Sequence, residues 1–219
     1  ADECQIYTDV DGVYTTDPRL CIKARKLNKL TYEEMLEMAG LGSKVLQLRS
    51  VEFASKHKVP IRVLNAHNIG SGTLITKEEK KMEGALISGI AFTKDEAEVM
   101  IKGVKDQPGV AAKILGPIGD AKIEVDMIVQ NVGSNGLADF TFTVSRNTLK
   151  KALQVIEKNK KTMMYESVIS KRNIVKVSIV GVGMRSHAGI AGRMFKCLAK
   201  NKVNIRMIST SEIKISVVI

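Results

Sequence analysis

Residues 102–131, KGVKDQPGVAAKILGPIGDAKIEVDMIVQN, and residues 179–210, IVGVGMRSHAGIAGRMFKCLAKNKVNIRMIST, are two copies of one pattern. Each copy begins with an apolar strand and a turn that contains glycine, and continues with a helix and a second apolar strand. When Gly109 is aligned with Gly189, an offset of 80 residues, the alignment also superposes Ala111 on Ala191, Lys122 on Lys202, Met127 on Met207, and Ile128 on Ile208. A repeat of this length predicts two related folded units.

Composition limits the class of protein only loosely. The chain has 219 residues, of which 44% are hydrophobic and 26% charged, values typical of a soluble globular protein with one large or two or three small domains. No apolar stretch approaches the roughly 20 residues that span a bilayer. The N-terminus lacks the basic and apolar segments of a signal peptide. Because the chain starts without methionine, we expect it to be a piece of a longer protein.

The cysteines predict a reducing environment. Cys4, Cys21 and Cys197 are an odd, widely separated set without the close spacing of metal ligands. Such a set is typical of reduced thiols, so we predict a cytoplasmic protein without a metal site.

The net charge of +11 raises the question of nucleic-acid binding, because residues 171–219 carry ten basic side chains and one acidic side chain. A ferredoxin-like sheet that binds RNA needs aromatic side chains on its strands to stack bases. Aromatic residues make up only 4% of the chain, and the basic region has just Phe195, at a helical position. The sequence therefore argues against a nucleic-acid partner.

Residues 1–80 have an α/β pattern with few strands. The stretch QIYTDVDGVYTTDPR predicts a strand, an Asp-Gly turn and a loop closed by Pro18. Thr31 and Glu34 have the spacing of a capping box and predict a helix that ends at Gly40. Ser43 is placed to cap a second helix, and the strands IRVLNA and TLIT follow it.

The charged stretch TKEEKKMEG predicts a linker, followed by a spare strand at residues 85–92. The first repeat unit then follows the order βαββαβ, which is ferredoxin-like, with an Asn135-Gly136 hairpin between its central strands. The second unit reads strand, helix, strand, strand and stops at Ile219. The spare strand could fill the remaining sheet position, which would intertwine the two units.

These stretches together resemble the C-terminal part of the aspartate kinase (aspartokinase) family over essentially the whole chain. The motifs are YTDVDGVYTTDPR and KLTYEEMLEMAGLGSKVLQLRSVEFA, then DQPGVAAKILGPI, VDMIVQN and NIRMISTSEIKISV. The resemblance implies an α+β protein: part of an amino-acid-kinase α/β domain followed by two ferredoxin-like βαββαβ ACT modules, the second incomplete. We expect the kinase part at residues 1–80, a linker and spare strand at 81–98, and the ACT modules at 99–170 and 171–219.

The resemblance also implies a nucleotide site for ATP, with Mg in the parent enzyme. Thr8 and Asp9 would contact the adenosine portion, Tyr14 would pack nearby, and Arg19 would reach phosphate. Lys44 and Val45, at a helix start, would complete the pocket. From the residues alone, Asp9 and Asp11 can equally be turn formers, and Lys44 a solvated helix residue.

Two departures from the family pattern affect this expectation. The family usually has His-Pro where this chain has Gln47-Leu48, and losing the proline would let the helix begin sooner and move Lys44. The N-terminal half of the kinase, with its Lys and Gly-Gly motif and the aspartate-binding residues, lies outside this chain. Phosphoryl transfer needs groups from several loops, so we expect no complete catalytic set and no turnover by this chain alone.

ACT modules sense amino acids, so the resemblance implies effector sites at the two strand-to-helix turns. Asp106 would accept from a ligand ammonium, and the N–H groups after Pro108 would face its carboxylate. The expected effector residues are, in the first module, Asp106, Pro108, Gly109, Val110, Ala111, Asp126, Gln130 and Asn131, and in the second Ser186, His187, Gly189, Ile190, Asn204 and Ile205. Because Ser186 replaces the aspartate, only the first turn should anchor an ammonium directly.

The same residues also have plainer interpretations. Asp106 can be a simple N-cap, Gln130 and Asn131 a polar pair on an edge strand, and His187 a loop residue without a ligand.

The leading functional hypothesis is a part of aspartate kinase, which converts ATP and L-aspartate to 4-phospho-L-aspartate, the first step of lysine, threonine and methionine biosynthesis. Lysine or threonine, bound at ACT modules that associate side by side in a homo-oligomer, would regulate it allosterically. The alternatives are a non-catalytic regulatory subunit that controls a separate catalytic subunit and, with less support, a basic nucleic-acid-binding α+β protein.

Overall fold

The computed structural model describes residues 2–78, 86–133 and 136–219. The chain forms two compact units: residues 1–93 together with 177–219, and residues 94–176. The domain boundaries drawn from the sequence stay predictions. No helix in the described ranges is long and apolar enough to cross a membrane.

The N-terminal part of the first unit is a small α/β layer. Its elements are β1 (Cys4–Thr8), β2 (Lys29–Thr31), α1 (Tyr32–Gly40), α2 (Leu48–His57), β3 (Ile61–Asn65) and β4 (Thr73–Thr76). The four strands form one sheet in the order β1-β3-β4-β2, in which β1 is parallel to β3 and β4 is antiparallel to β3. Apolar side chains such as Leu30, Met35 and Ile75 form the core in which the helices pack against this sheet.

The capping box predicted for α1 is confirmed. The Thr31 hydroxyl accepts the Glu34 N–H at 3.1 Å, and the Glu34 carboxylate accepts the Thr31 N–H at 3.0 Å. The helix ends at Gly40, as the sequence indicated. These bonds satisfy two of the N–H groups that every helix start leaves without a partner.

The predicted start of the second helix is wrong. Ser43 lies in the turn that ends α1, where its N–H donates to the Met38 carbonyl, and it is too far along the chain from Leu48 to cap the helix. Gly42, at φ 105°, turns the chain, and α2 begins only at Leu48, with Gln47 as its N-cap. The absence of proline at position 48 therefore does not make the helix begin earlier. The prediction that Lys44 lies at a helix start is also wrong.

The second unit is a sheet with helices. It contains α3 (Val110–Asp120), β6 (Val125–Val132), β7 (Leu137–Ser145), α4 (Leu149–Lys158) and α5 (Lys160–Met163), with parts of β5 (Gly89–Lys105) and β8 (Ser167–Val180). The strand order is β6-β7-β5-β8, and β7 is antiparallel to both β5 and β6. Ile101, Ile114, Phe142 and Ile156 are in its core. Apart from the short α5, the elements follow one another as β5-α3-β6-β7-α4-β8, which confirms the predicted βαββαβ order.

The strands that the sequence separated are continuous. The spare strand and the first strand of the module form one strand, β5, and the two strands expected around residues 165–180 form β8. Glu96 and Glu98 lie between the two predicted strands, and both are buried within β5. Residues 79–85, with most of the predicted linker, and Asn135 of the predicted hairpin lie outside the described residues.

The sequence repeat is also a repeat of structure. The second copy consists of a 3-10 helix (Val182–Ser186), α6 (Ile190–Lys200), β9 (Met207–Thr210) and β10 (Lys214–Val218). These elements belong to the first unit, and their strands follow β5 and β8 in the order β5-β8-β10-β9. The helices α3 and α6 begin and end 80 residues apart. Gly109 and Gly189 have φ values of 87° and 88°, and Lys122 and Lys202 have 56° and 57°. Two related folded units are therefore confirmed.

Candidate functional site

The predicted nucleotide loop begins at the carboxyl end of a parallel strand pair. Thr8 and Asn65 are paired at the ends of β1 and β3. Asn65 Nδ2 donates to the Asp9 carbonyl at 3.3 Å, and the Thr8 hydroxyl accepts the Val10 N–H at 3.1 Å. Ligands of open α/β sheets bind at this edge. The geometry thus places Thr8 and Asp9 where a nucleotide site is expected.

A carboxylate that the sequence treated as a turn former organises the loop. Asp11 accepts from the Tyr14 hydroxyl at 3.0 Å and from Lys26 Nζ at 3.3 Å. Burial works to raise the pKa of Asp11, but the bonds from Tyr14 and Lys26 together hold it below its ordinary value. The bond to Asp11 raises the pKa of Tyr14. Lys26 was missed because nothing in its local sequence shows that residues 14 and 26 pair across the loop.

The base of the loop is fixed to β4. Thr73 Oγ1 accepts the Val13 N–H at 2.8 Å and donates to the Leu27 carbonyl at 2.6 Å. Gly12 permits this approach, because a Cβ at that position would lie 2.5 Å from Thr73 Oγ1 and its φ is 148°. Residues 12–27 are therefore held as one loop on the sheet edge.

Arg19 lies on the exposed outer part of this loop. Its guanidinium pairs with Asp17 through Nε and Nη2 at 3.1 and 3.0 Å, and this bonding lowers the pKa of Asp17. Lys44 is exposed and Val45 half-buried in the turn before α2. Within the described ranges, no hydrogen bond or ion pair joins Lys44 or Val45 to the loop. The structure thus places Thr8, Asp9, Tyr14 and Arg19 in one continuous loop segment after β1, whereas the last two predicted residues lie in a separate turn.

The first predicted effector turn has a helix start without a side-chain cap. Gly109 is the N-cap of α3, so the plainer interpretation of Asp106 as that cap is wrong. The Val110 N–H donates to the Gln107 carbonyl at 3.1 Å. Among the described residues, the N–H groups of Gly109 and Ala111 have no protein acceptor. Two of the three expected donors therefore remain available for a ligand carboxylate.

Polar side chains meet beside this helix start. Gln130 Nε2 on β6 is 3.4 Å from Asp106 Oδ1, and the Asp106 N–H donates to the Gly136 carbonyl. Pro108 is exposed in the turn. Asn131 contacts a cavity of about 400 Å³, whose other lining residues are Lys102, Gly103, Val132, Gly133, Leu137, Asp139 and Glu166. Asp106, Gln130 and the free N–H groups therefore form one candidate site.

Asp126 is not part of that cluster. Its carboxylate contacts Nζ of Lys176, a buried lysine on β8 that also lies 3.2 Å from Glu96 Oε1. Burial raises the pKa of Glu96 although Lys176 opposes the shift. Asp126 is thus already paired with a protein cation. The sequence signal for Lys176 was one lysine within the apolar run IVKVSIV, which was overlooked.

The second predicted turn repeats the bare helix start with a different approach. Gly189 is the N-cap of α6 without a side-chain cap, and Ile190 is buried behind it. His187 Nδ1 lies 3.0 Å from the Gly183 carbonyl, a contact in which only the nitrogen can donate. Ser186 Oγ lies 3.4 Å from the same nitrogen. Asn204 and Ile205 lie in the segment before β9, exposed and half-buried respectively.

The two turns can perform related binding chemistry. A helix N-terminus carries partial positive charge and oriented N–H donors, which suit a carboxylate. A carboxylate beside it, as at Asp106, suits an ammonium group. An α-amino acid carries both groups, so the first turn matches it more fully than the second. The described residues contain no group of three or more His, Cys, Asp or Glu that could hold a metal ion.

Three family models match separate parts of the chain. The model of the amino acid kinase family matches residues 1–65, and two ACT domain models match residues 98–160 and 177–219. The matches agree with the observed fold: a piece of kinase sheet and two copies of a strand-turn-helix unit.

Comparison with individual proteins is consistent with these matches. An aspartate kinase of Stutzerimonas stutzeri is 65% identical over 220 residues, which cover 100% of this chain and 53% of that protein. An aspartate kinase structure from Clostridium acetobutylicum covers 100% of this chain and 51% of its own, at 28% identity and a TM-score of 0.89. The ligand-free regulatory subunit of aspartate kinase from Thermus thermophilus is 37% identical, covering 61% of this chain and 88% of its own, with a TM-score of 0.58.

The fold and the matches define a class: part of an amino acid kinase joined to ACT allosteric regulatory domains. Within that class, the chain belongs to the aspartate kinase family. It spans about half the length of the curated relatives that it matches.

Proposed function

We propose that this chain is the nucleotide-loop and regulatory part of an aspartate kinase, which transfers phosphate from ATP to L-aspartate to give 4-phospho-L-aspartate, the first step of lysine, threonine and methionine biosynthesis. The observation that carries the proposal is the pair of bare helix starts at Gly109 and Gly189, repeated in two ACT modules attached to a kinase segment. Such starts bind the carboxylate of a free amino acid.

The loop that follows β1 would hold ATP, with Mg in the complete enzyme. Thr8 and Asp9 lie at the sheet edge where the adenosine would sit, and the exposed Arg19 would meet phosphate charge. Lys44 and Val45 would reach the nucleotide only if their turn lies against it when ATP is bound. Without the rest of the kinase domain, this chain alone has no complete catalytic set.

Lysine or threonine would be the effector, as the resemblance to the family implies. Asp106 and Gln130 would take the ammonium, and the Gly109 and Ala111 N–H groups the carboxylate. Ser186, His187, Gly189 and Ile190, with Asn204 and Ile205, would form the second, more weakly charged site. The ACT modules would associate in a homo-oligomer, and the three exposed free cysteines fit a cytoplasmic protein.

Calorimetric titration of the chain with lysine and with threonine tests the effector sites. The variant Asp106→Asn should weaken binding about tenfold, equivalent to about 1.4 kcal/mol, because it removes the charge that faces the ammonium. Asp120→Asn is the matched control, because Asp120 is exposed at the opposite end of α3. Absence of binding heat with both amino acids at millimolar concentration would contradict the proposal.

The second candidate function is a non-catalytic regulatory subunit. It is favoured by the match to the Thermus thermophilus regulatory subunit, of which this chain covers 88%. The reading frame upstream of Ala1 separates the candidates: a start codon there favours the subunit, and a Lys and Gly-Gly kinase motif excludes it.

A further inference from the structure

A buried glutamate joins the kinase segment to the second ACT turn. Glu34 is 1% exposed, and both of its carboxylate oxygens are saturated. Oε2 accepts the N–H and the hydroxyl of Thr31, both at 3.0 Å. Oε1 accepts the Ser88 hydroxyl at 2.5 Å and the Val182 N–H at 3.0 Å. Hydrogen bonds offset the cost of burying a carboxylate, and the bond from the Val182 N–H fixes the start of the 3-10 helix against α1.

The chain segments around this bond are closely packed. The Ser88 N–H donates to the Val180 carbonyl at 2.8 Å, just before the 3-10 helix. Gly181 allows the contact, because a Cβ there would lie 2.6 Å from the Leu86 carbonyl oxygen. The position of Val182 is therefore determined by backbone packing as well as by Glu34.

An arginine at the other end of the 3-10 helix makes a second connection. Each guanidinium nitrogen of Arg185 meets a different carboxylate: Glu33 at 2.5 Å, Glu78 at 3.1 Å and Glu212 at 3.3 Å. The bond to Glu33 raises the pKa of Arg185. These carboxylates are half or more exposed, so each pair adds little stability by itself. Their combined effect is geometric, since the rigid guanidinium fork fixes direction.

The connected helix leads directly into the second effector turn. It ends at Ser186, and His187 Nδ1 and N–H bond back to the Gly183 and Met184 carbonyls. A ligand carboxylate bound to the Gly189 N–H would therefore lie next to a segment that is joined to α1 by the bonds of Glu34 and Arg185. At its own C-terminal end, α1 continues into the turn with Lys44, through the Ser43 N–H bond to the Met38 carbonyl.

Among the described residues, the first effector turn has no counterpart of the three Arg185 ion pairs at the matching position, although the Gly103 N–H just before it donates to Asp139 Oδ1 at 3.1 Å. With the offset of 80 residues, Arg185 corresponds to Lys105, which is exposed at the end of β5. The two turns thus differ in what holds them, although their helix starts share one geometry.

We propose that Glu34 and Arg185 are positioning residues that transmit occupancy of the second effector turn to α1 of the kinase segment. This proposal rests on the proposed effector function and assigns the second turn a role in transmission that the first turn lacks. Arg185 acts through Glu33 on the first turn of α1, and Glu34 acts through the Val182 N–H.

Hydrogen exchange of the whole chain, measured by mass spectrometry, tests this without any ligand. Arg185→Met should speed exchange in peptides covering residues 182–189 and 31–40 together, by about tenfold, because the 3-10 helix and the first turn of α1 loosen as one. Arg193→Met is the matched control, an exposed arginine on α6, and should leave both peptides unchanged. Arg185→Lys should restore part of the protection, since a lysine holds one carboxylate.

The second arm adds lysine or threonine at saturation. In the wild-type chain and Arg193→Met, the effector should change exchange in both peptides. In Arg185→Met, calorimetry should show retained binding while residues 31–40 no longer respond. If Arg185→Met does not fold, Glu33→Gln and Glu212→Gln each remove one carboxylate and should give a smaller loss of response.

Two results would overturn the transmission role. One is unchanged exchange at residues 31–40 in ligand-free Arg185→Met. The other is an undiminished α1 response in a variant that still binds effector. A wild-type chain that binds neither amino acid would instead defeat the proposed effector function, and transmission with it.

Discussion

Two buried glutamates show how differently a single side chain can be satisfied. Glu34 has donors on both oxygens from three chain segments. Glu96 shares Lys176 with Asp126, and within the described residues its Oε2 has no hydrogen-bond partner. Burial without full hydrogen bonding disfavours the ionised form. We therefore expect opposite responses when each carboxylate is replaced by an amide.

Glu34→Gln should lower the free energy of unfolding by roughly 1–3 kcal/mol, because a buried donor is left without an acceptor. The amide has one oxygen, so its NH₂ must face either the Thr31 N–H or the Val182 N–H. Chemical denaturation followed by circular dichroism measures the loss. Glu52→Gln on the exposed side of α2 is the control, and equal stability of the two variants would show that the Glu34 bonds contribute nothing.

Glu96→Gln should change how stability depends on pH. Because burial raises the pKa of Glu96 above its ordinary value of 4.5, the folded state holds its proton more tightly than the unfolded state. Wild-type stability should therefore fall as the pH rises through the raised pKa, and recover on acidification. Glu96→Gln removes this contribution, while Asp126 still pairs with Lys176.

The measurement is denaturation at a series of pH values that starts below the ordinary carboxyl pKa of 4.5 and extends upward from it, because the effect begins at that value. The stability of Glu96→Gln relative to wild type should increase across that range. Glu124→Gln, at an exposed position before β6, is the control. Parallel curves for wild type and Glu96→Gln would contradict the assignment.

At the scale of elements, α3 and α6 share left-handed N-cap glycines instead of side-chain caps. A Cβ on Gly109 or Gly189 would meet nothing within 4 Å, so neither position is closed by packing. The requirement for glycine is conformational, because their φ values lie near 88°. A bare cap leaves N–H donors open to a ligand, at the expense of local helix stability.

Gly109→Ala and Gly189→Ala should each destabilise the chain by about 1 kcal/mol, through the left-handed backbone alone. We expect the two losses of stability to be equal, because the two N-cap glycines have the same backbone geometry and the same open surroundings. Thermal unfolding of both variants measures it, with Gly116→Ala on the open face of α3 as a control that should be neutral or stabilising. Strongly unequal losses would indicate that one of the two caps is constrained by something besides its φ.

The elements also show what local sequence could and could not predict. The Thr31–Glu34 spacing predicted a helix start, because a capping box involves four neighbouring residues. It could not show that the same carboxylate accepts from Val182, which is 148 residues away in the chain. The 80-residue repeat predicted that a glycine lies in each of the two strand-to-helix turns, and both glycines are the N-caps. Ser43 failed as a cap because the chain turns at Gly42 and α2 begins only at Leu48, which residue preferences do not reveal.

At the scale of the whole molecule, the order of elements was predictable but the length of the strands was not. Alternating and apolar runs located β1, β3, β4, β6 and β7 within a few residues. The predicted strands did not include Glu96 or Lys176, and charged residues are rarely buried. Burying them together as an ion pair lets β5 and β8 continue. For the candidate sites, Gly109 and Gly189 were predictable, whereas the partners of Asp11, Asp126 and Arg185 depend on the fold.

The continuity of β5 and β8 restricts how this chain can be divided. Both boundaries of the second unit, at residues 93–94 and 176–177, fall inside a strand. Replacing the second unit with the corresponding part of another protein would therefore cut both strands. Domains that can be exchanged are normally bounded by flexible linkers. Recombination between relatives should accordingly transfer both sensors as a single block.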